Sequence, residues 1–139
     1  MKTILNTLLL IILNFTGTFN AQKTPLDTLN YLKQFEINKA QYINKPLSIL
    51  LNNMTAIKPK THWGDSNPNN KNAVVSTMFN FCEKYYTFNN AITMRITWDI
   101  SFPRSEVEFP QNNNNFYYTN EEKLFYQDKI VKDISVYRR

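Results

Sequence analysis

Residues 92–102 constrain the fold most, because apolar and polar side chains alternate along this segment without a break. Successive side chains of a β-strand point to opposite faces, so the pattern predicts a strand with one buried face and one solvated face. The residues expected on the buried face are Ile92, Met94, Ile96, Trp98, Ile100 and Phe102. Those expected on the solvated face are Thr93, Arg95, Thr97, Asp99 and Ser101. The rest of the chain must therefore supply an apolar layer that covers the first set.

Two amphipathic segments that precede this strand are the expected source of that layer. Apolar residues at spacings of three predict a helix over residues 25–42, and Pro46 limits it because the residue before a proline is pushed out of the helical region. A second, shorter helix opens at Pro46 with one apolar stripe, made of Leu47, Leu50, Leu51 and Met54. We therefore expect two N-terminal helices packed on one face of the sheet.

Further strands are expected before residues 92–102. Residues 57–63 indicate a short extended segment, and residues 64–72 are a polar loop rich in turn residues. Residues 74–84 predict a strand that is apolar on both sides in part, which suits an interior position in a sheet. This strand and residues 92–102 are expected to form an antiparallel hairpin.

The C-terminal part predicts one more helix and the last strand. Residues 105–109 indicate a short edge strand, and residues 111–115 an asparagine-rich loop. Thr119 and Glu122 stand at the spacing of a capping box, which begins a short helix. Residues 129–137 alternate again and form the last strand. The predicted fold is α+β: two N-terminal helices on one face of a mostly antiparallel sheet of about four strands, with a short helix before the last strand.

Residues 1–21 have the layout of a secretory signal peptide: the basic Lys2, an apolar core, then small and polar residues. The expected cleavage follows Ala21, with Thr18 as the alternative site. A retained anchor is the other interpretation, but the apolar run is shorter than the roughly 20 residues of a membrane span. We expect an exported protein, periplasmic or extracellular, whose residues 22–139 form a single domain without a transmembrane segment.

The composition argues against several classes of function. Cys82 is the only cysteine, so no internal disulfide can form, and one cysteine with one distant histidine does not make a metal site. Gly64 is the only glycine after the signal, so we expect no phosphate-binding loop, no nucleotide cofactor and no other cofactor. The net charge of +5 comes from scattered lysines and arginines, which suits a solvated surface better than nucleic-acid binding.

One combination of residues fits an enzyme. His62 is the only histidine, and histidine is the commonest general base near neutral pH. Glu106 and Glu108 lie two apart on the predicted edge strand, beside Arg104. In size, charge and residue types alone, the chain resembles the small secreted basic ribonucleases, and that resemblance implies a hydrolase using His62 with Glu106 or Glu108 and Arg104. A structural histidine and a charged strand edge explain the same residues.

The leading hypothesis is a small exported, non-catalytic protein that binds a macromolecular or cell-envelope partner. Tyr85, Tyr86, Tyr117 and Tyr118 flank loops, and tyrosine supplies contact area at low entropic cost. Arg95 adds a cation to the predicted solvated face of the sheet. These five residues are the candidate binding residues, and the alternative for the tyrosines is a place in the core.

Overall fold

The structure is a computed structural model, and it describes residues 26–139. Its centre is a four-stranded antiparallel sheet in which neighbouring strands follow one another along the chain. The strands are β1 (Thr61–Asn67), β2 (Asn70–Asn80), β3 (Ile92–Pro103) and β4 (Val131–Arg138). The α+β class and the antiparallel sheet are confirmed, and so is the hairpin of β2 and β3. The predicted signal peptide, residues 1–21, lies outside the described residues.

Within residues 26–139 the sheet is accompanied by helices α1 (Thr28–Ile37), α2 (Leu47–Asn53), α3 (Arg104–Asn113) and α4 (Asn120–Tyr126). Asp27 caps α1 by accepting the backbone N–H of Asn30 at 3.1 Å, and the helix ends at Ile37 rather than at residue 42. The predicted layer of two N-terminal helices is not matched, because α3 and α4 follow β3 in the chain. No helix in the described range is long and apolar enough to cross a membrane.

One face of the sheet carries the hydrophobic core. Met94, Ile96 and Trp98 of β3 are each at most 3% exposed, so the tryptophan side of the strand is buried as predicted. The strand register places Phe79 beside Met94 and Ile134 beside Ile96. The helices contribute Leu32, Phe35, Leu47, Leu50, Val107 and Tyr126 to the same cluster. Each large apolar side chain that is fully buried stabilises the fold by about 1.5–3 kcal/mol.

The alternation predicted for β3 is wrong at Ile100, whose side chain is 77% exposed. Thr97 pairs with Ser76 of β2, whereas Phe102 pairs with Val74. Between these two pairs β3 contains more residues than β2, so the strand bulges and the period of two is interrupted. Ile100 consequently leaves the buried face, and Phe102 returns to it.

Thr93 lies on the same side of β3 as Arg95, as predicted, but its side chain is fully buried rather than solvated. Its hydroxyl donates a hydrogen bond of 2.8 Å to Oδ1 of Asn80, the residue opposite it on β2. This bond compensates for the loss of water around both polar groups, so a polar pair is tolerated in a buried position.

The polar segment of residues 64–72 is mostly strand rather than loop. Pairing between β1 and β2 continues into it and leaves residues 68–69 as the turn. Arg104 fixes this hairpin, because its Nε donates to Oγ of Ser66 at 3.1 Å and to the carbonyl oxygen of Lys71 at 3.0 Å. The turn-rich composition was therefore overridden by contacts with a distant part of the chain.

The predicted edge strand at residues 105–109 is wrong, because this segment lies in α3. Val107 and Gln111 are both buried, and their spacing of four places them on one side of a helix. The predicted loop at residues 111–115 begins inside the same helix, which ends at Asn113. The short run of residues 105–109 was too brief to separate a period of two from a helical period.

The capping box is confirmed at the start of α4. The Thr119 side chain accepts backbone N–H groups of the first turn, and Oε2 of Glu122 accepts the backbone N–H of Thr119 at 2.9 Å. The last strand is confirmed as well, over Val131–Arg138. Local chain chemistry was sufficient to predict both elements.

Candidate functional site

The second face of the sheet is built from rows of side chains that the strand register brings together. One row consists of Trp63, Met78, Arg95 and Ser135, one residue from each strand. The row beside it consists of Asp65, Ser76, Thr97 and Asp133. None of these residues belongs to the hydrophobic core cluster of residues 26–139, and all except the buried Ser76 are partly accessible. We call these two rows the open face.

Aromatic rings and cations meet at the Trp63 end of the open face. The Trp63 ring stacks on Phe116, with centroids 4.0 Å apart, and the Phe88 ring lies 5.6 Å from it. The ammonium of Lys84 lies 4.8 Å from the centroid of the Phe116 ring, and the guanidinium of Arg139 lies 5.9 Å from that of Phe88. Because aromatic faces attract cations, this arrangement holds two basic side chains beside exposed aromatic area.

Arg95, one of the predicted binding residues, lies at the centre of the open face. Its Nη2 is 3.4 Å from Oδ2 of Asp65, and its guanidinium is 5.9 Å from the centroid of the Tyr137 ring. The Arg95 and Asp65 side chains are each 40% exposed, so the ion pair contributes only about 0–1 kcal/mol to folding. A partially solvated arginine of this kind can exchange its partner at low cost.

The connection between β2 and β3 presents three large aromatic side chains to solvent. Tyr85, Tyr86 and Phe88 are 82%, 62% and 68% exposed, and we call these three residues the aromatic turn. A 3₁₀ turn over Lys84–Tyr86 shapes it, and the buried Thr87 hydroxyl donates to the carbonyl oxygen of Lys84 at 2.7 Å. The backbone is therefore fixed by local hydrogen bonds, while the rings have no place in the core.

The two remaining predicted binding residues separate, because neighbours in an extended segment point to opposite sides. The Tyr117 hydroxyl donates to Oε2 of Glu83 at 3.1 Å, while Oε1 of Glu83 accepts from Lys60 at 2.9 Å. The Lys60 and Tyr117 hydrogen bonds hold the pKa of Glu83 below its usual range. The Tyr118 ring instead packs against His62 and the core residue Phe79.

His62 lies inside the protein rather than at its surface. Its side chain is fully buried, with the Tyr118 and Tyr126 rings 6.0 Å and 5.6 Å from its own. Neither ring nitrogen has a hydrogen-bond partner among the described residues. Burial lowers the pKa of His62 to about 4, an effect larger than the opposing influences of Glu122 and the Phe116 backbone. The imidazole is therefore neutral at pH 7.

The structure does not bring the predicted catalytic residues into contact with His62. Arg104 fixes the β1–β2 hairpin, and no hydrogen bond or ion pair in the described chain joins His62 to Arg104, Glu106 or Glu108. The two glutamates are exposed on α3, where residues two apart point about 200° away from each other rather than in one direction. The hydrolase thus remains a prediction that this geometry does not support.

Cys82 and the acidic residues offer no centre for metal chemistry in the part of the chain that is described. No group of three histidine, cysteine, aspartate or glutamate side chains is arranged to hold a metal ion there. Cys82 is a free, partly accessible thiol beside the aromatic turn, and desolvation is the main cause that raises its pKa. A thiol with a raised pKa is a poor nucleophile at neutral pH.

No protein-family model matches the chain, no curated protein matches it, and no solved structure does. The fold and the surface alone therefore define its class: an α+β domain with a partly exposed sheet face and an aromatic turn. The sequence prediction missed Trp63, Lys84 and Arg139 as members of this surface. Only the register of β1 with β2, which continues into a turn-rich segment, could have placed Trp63 on the same face as Arg95.

Proposed function

We propose that this chain is a small exported, non-catalytic protein that binds a macromolecular or cell-envelope partner in the periplasm or outside the cell. Its contact surface would be the aromatic turn together with the Trp63 end of the open face. The observation that carries this proposal is the exposure of three neighbouring aromatic side chains, Tyr85, Tyr86 and Phe88, on a hydrogen-bonded turn. Export is proposed from the signal-peptide layout of residues 1–21.

Exposed aromatic rings are a feature of recognition surfaces rather than of ordinary protein surface. Single apolar side chains are common in contact with solvent, but three large rings within four residues are not. Tyrosine is enriched where proteins bind each other, because it buries a large area with few rotatable bonds. The turn is already shaped by backbone hydrogen bonds, so binding would require little further ordering of its chain.

Charge at this surface favours an acidic partner. Lys84 and Arg139 lie over the rings of Phe116 and Phe88, and neither forms an ion pair within residues 26–139. An acidic segment that approaches the aromatic turn could therefore pair with Lys84 and Arg139 without breaking an existing ion pair. Such complementarity raises the rate of association and orients the partner more than it adds affinity.

The helices of the protein cover the opposite side of the sheet. Leu32 of α1, Leu47 of α2 and Tyr126 of α4 are buried in one cluster with Ile96 and Trp98. A partner could reach that side only by displacing helices, so the open face is the sheet surface that remains for recognition. This division of roles between the two faces is usual for antiparallel sheets with one solvated side.

The experiment compares crosslinking at two exposed aromatic positions. A photoreactive phenylalanine derivative replaces Tyr86 in one variant and Phe109 of α3, which is 75% exposed, in the other. Each variant is irradiated with an envelope extract of the producing cells. We expect one discrete product from the Tyr86 position and none above background from the Phe109 position.

A substitution series then ties the product to the surface. The Tyr85→Ser/Tyr86→Ser/Phe88→Ser variant should retain the partner at least tenfold less than the parent chain in a pull-down. The Phe109→Ser/Leu124→Ser variant, which removes exposed apolar area elsewhere, should retain it fully. Equal retention by both variants, with folding verified by circular dichroism, would contradict the proposed surface. Turnover of RNA by the parent chain that His62→Ala abolishes would instead favour the hydrolase.

A further inference from the structure

A groove on the helical side of the protein has the dimensions and lining of a small-molecule site. It encloses about 610 Å³ between the end of α2, the segment before β1 and the start of α4. Sites for small organic ligands span about 300–1,000 Å³, so the volume suits a ligand of modest size. Its lining includes Leu51, Met54, Lys58, Pro59, Tyr118 and Lys123.

Like most lysines of the described residues, the two lysines of the groove have no carboxylate partner. Lys33, Lys39 and Lys60 each form an ion pair with a nearby carboxylate. Lys58 and Lys123 form no ion pair with any residue that the structure describes, although both border the same groove. The groove therefore carries two positive charges that no contact neutralises.

The acidic residues closest in sequence to Lys123 are engaged elsewhere. The Glu121 and Glu122 carboxylates accept hydrogen bonds from Nδ2 of Asn114, at 3.0 Å and 2.6 Å. Glu122 also completes the capping box and is buried. No aspartate or glutamate is among the residues that line the groove, so its lining has a net positive charge.

The rest of the lining is mixed, with the apolar Leu51, Met54, Pro59 and Tyr118 beside the polar Asn52, Thr55, Thr119 and Asn120. Met54 and Pro59 are buried, and Leu51 packs against the core beside them. The ring of Tyr118 forms another part of the lining, and its hydroxyl has no hydrogen-bond partner among the described residues. The lining therefore combines a partly apolar surface with two cations.

From this combination we propose that the groove binds a small amphiphilic carboxylate: a molecule with one anionic group and an apolar chain or ring. The carboxylate pairs with Lys58 and Lys123, and the apolar part lies against Leu51, Met54 and Tyr118. Both lysines are exposed, so their pairing with the carboxylate discriminates by charge, while contact with the apolar part of the lining adds to the affinity. The groove contains no residue of the aromatic turn, so the test of this proposal is independent of the proposed function.

The test measures binding of three eight-carbon probes to the full exported chain by titration calorimetry and ligand-observed NMR. The probes are octanoate, octan-1-ol and octylammonium, which share the chain but differ in charge. We expect octanoate to bind at least tenfold more tightly than octan-1-ol, and octylammonium not to bind measurably. Acetate, which lacks the apolar part, should bind at least tenfold more weakly than octanoate.

Two matched variants locate the site. Lys58→Gln/Lys123→Gln should lose at least tenfold in octanoate affinity, whereas Lys45→Gln/Lys71→Gln, which changes the net charge equally but lies outside the groove lining, should keep the parent value. Leu51→Asn should weaken octanoate and octan-1-ol alike. Equal binding of octanoate and octylammonium, or equal loss in both lysine variants, would overturn the proposal. So would binding to phosphatidylglycerol vesicles without binding of free octanoate, because the anion would then belong to a membrane surface.

Discussion

The indole nitrogen of Trp98 donates a 3.0 Å hydrogen bond to the hydroxyl oxygen of Thr77 inside the buried face of the sheet. Thr77 has no exposed surface, and Trp98 is 3% exposed. The Trp98 ring also stacks on Tyr126, with centroids 5.5 Å apart and planes 11° apart. One tryptophan therefore links β3 to β2 by a polar contact and to α4 by an apolar one.

Removing the hydroxyl of Thr77 should destabilise the protein without changing its shape. In Thr77→Val the indole N–H keeps its buried position but loses its acceptor, so we expect the free energy of unfolding to fall by about 1–3 kcal/mol. Urea denaturation followed by tryptophan fluorescence measures the change. Thr77→Ser retains the acceptor and serves as the control, and its loss should be smaller than that of Thr77→Val. An unchanged free energy of unfolding in Thr77→Val would show that this hydrogen bond does not stabilise the fold.

Stability should decrease as the pH falls from 7 to 5, with His62 as the cause. The pKa of His62 is about 4 in the folded protein, against 6.5 without perturbation, so the unfolded chain binds a proton in this range that the folded protein does not. The free energy of unfolding should therefore fall by about 2 kcal/mol between pH 7 and pH 5. Urea denaturation at both pH values measures it.

The matched variant for that experiment is His62→Phe, which keeps an aromatic ring between Tyr118 and Tyr126. It has no group that titrates here, so its free energy of unfolding should change by less than about 0.5 kcal/mol over the same range. Glu83 and Glu122 have lowered pKa values, so their contributions are present above the usual carboxyl pKa and disappear at still lower pH. For Glu122, burial opposes ionisation but the hydrogen bonds from Thr119 and Asn114 outweigh it. If the free energy of unfolding of His62→Phe depends on pH as strongly as that of the parent chain, His62 is not the source of the effect.

Local patterns predicted the elements whose formation depends on local chemistry. The capping residues Thr119 and Glu122 begin α4, and Pro46 begins α2, as expected. The alternation of residues 92–102 predicted β3, and it placed Trp98 on the buried face correctly. Each of these patterns depends on neighbours in the chain, which is why the sequence was sufficient.

The errors arose where distant parts of the chain decide the outcome. Residues 64–67 have the composition of a loop, yet they pair with β2, and Arg104 fixes the hairpin from far along the sequence. The bulge that expels Ile100 depends on the register with Val74 and Ser76, which no pattern within β3 records. The same limit applies to the candidate site. The alternation of residues 92–102 placed Arg95 on the solvated face, but no local pattern placed Trp63 there.

A pair of isoleucines tests the bulge directly. Ile96→Ala removes a fully buried side chain from the core, so we expect a loss of about 2–5 kcal/mol in the free energy of unfolding. Ile100 lies four residues further along β3, and its side chain is 77% exposed. Ile100→Ala should therefore change the free energy of unfolding by no more than about 0.5 kcal/mol. Chemical denaturation of both variants provides the comparison. Similar losses would mean that Ile100 returns to the core in solution and that the strand is regular.

The stack of Trp63 on Phe116 should be detectable as a coupling between the two residues. Phe116 has a φ of 66°, an unfavourable backbone conformation for a residue with a bulky side chain, and its ring lies 4.0 Å from that of Trp63. We expect a double-mutant cycle of Trp63→Ala and Phe116→Ala to give a coupling energy of about 0.5–1.5 kcal/mol. Alanine also carries a Cβ, so the substitution keeps the backbone strain at residue 116 and the cycle reports the contact between the rings.

The neighbouring pair Trp63 and Phe88 provides the internal comparison for this cycle. Their rings are 5.6 Å apart and tilted by 58°, and Phe88 is 68% exposed, so the coupling measured with Phe88→Ala should be smaller than that with Phe116→Ala. The result decides how the surface is built. If Phe116 holds Trp63 in place and Phe88 couples weakly, Phe88 is free to contact a partner without disturbing the fold. A Phe88 coupling as large as that of Phe116 would instead make Phe88 part of the folded structure and weaken its assignment to the aromatic turn as a contact residue.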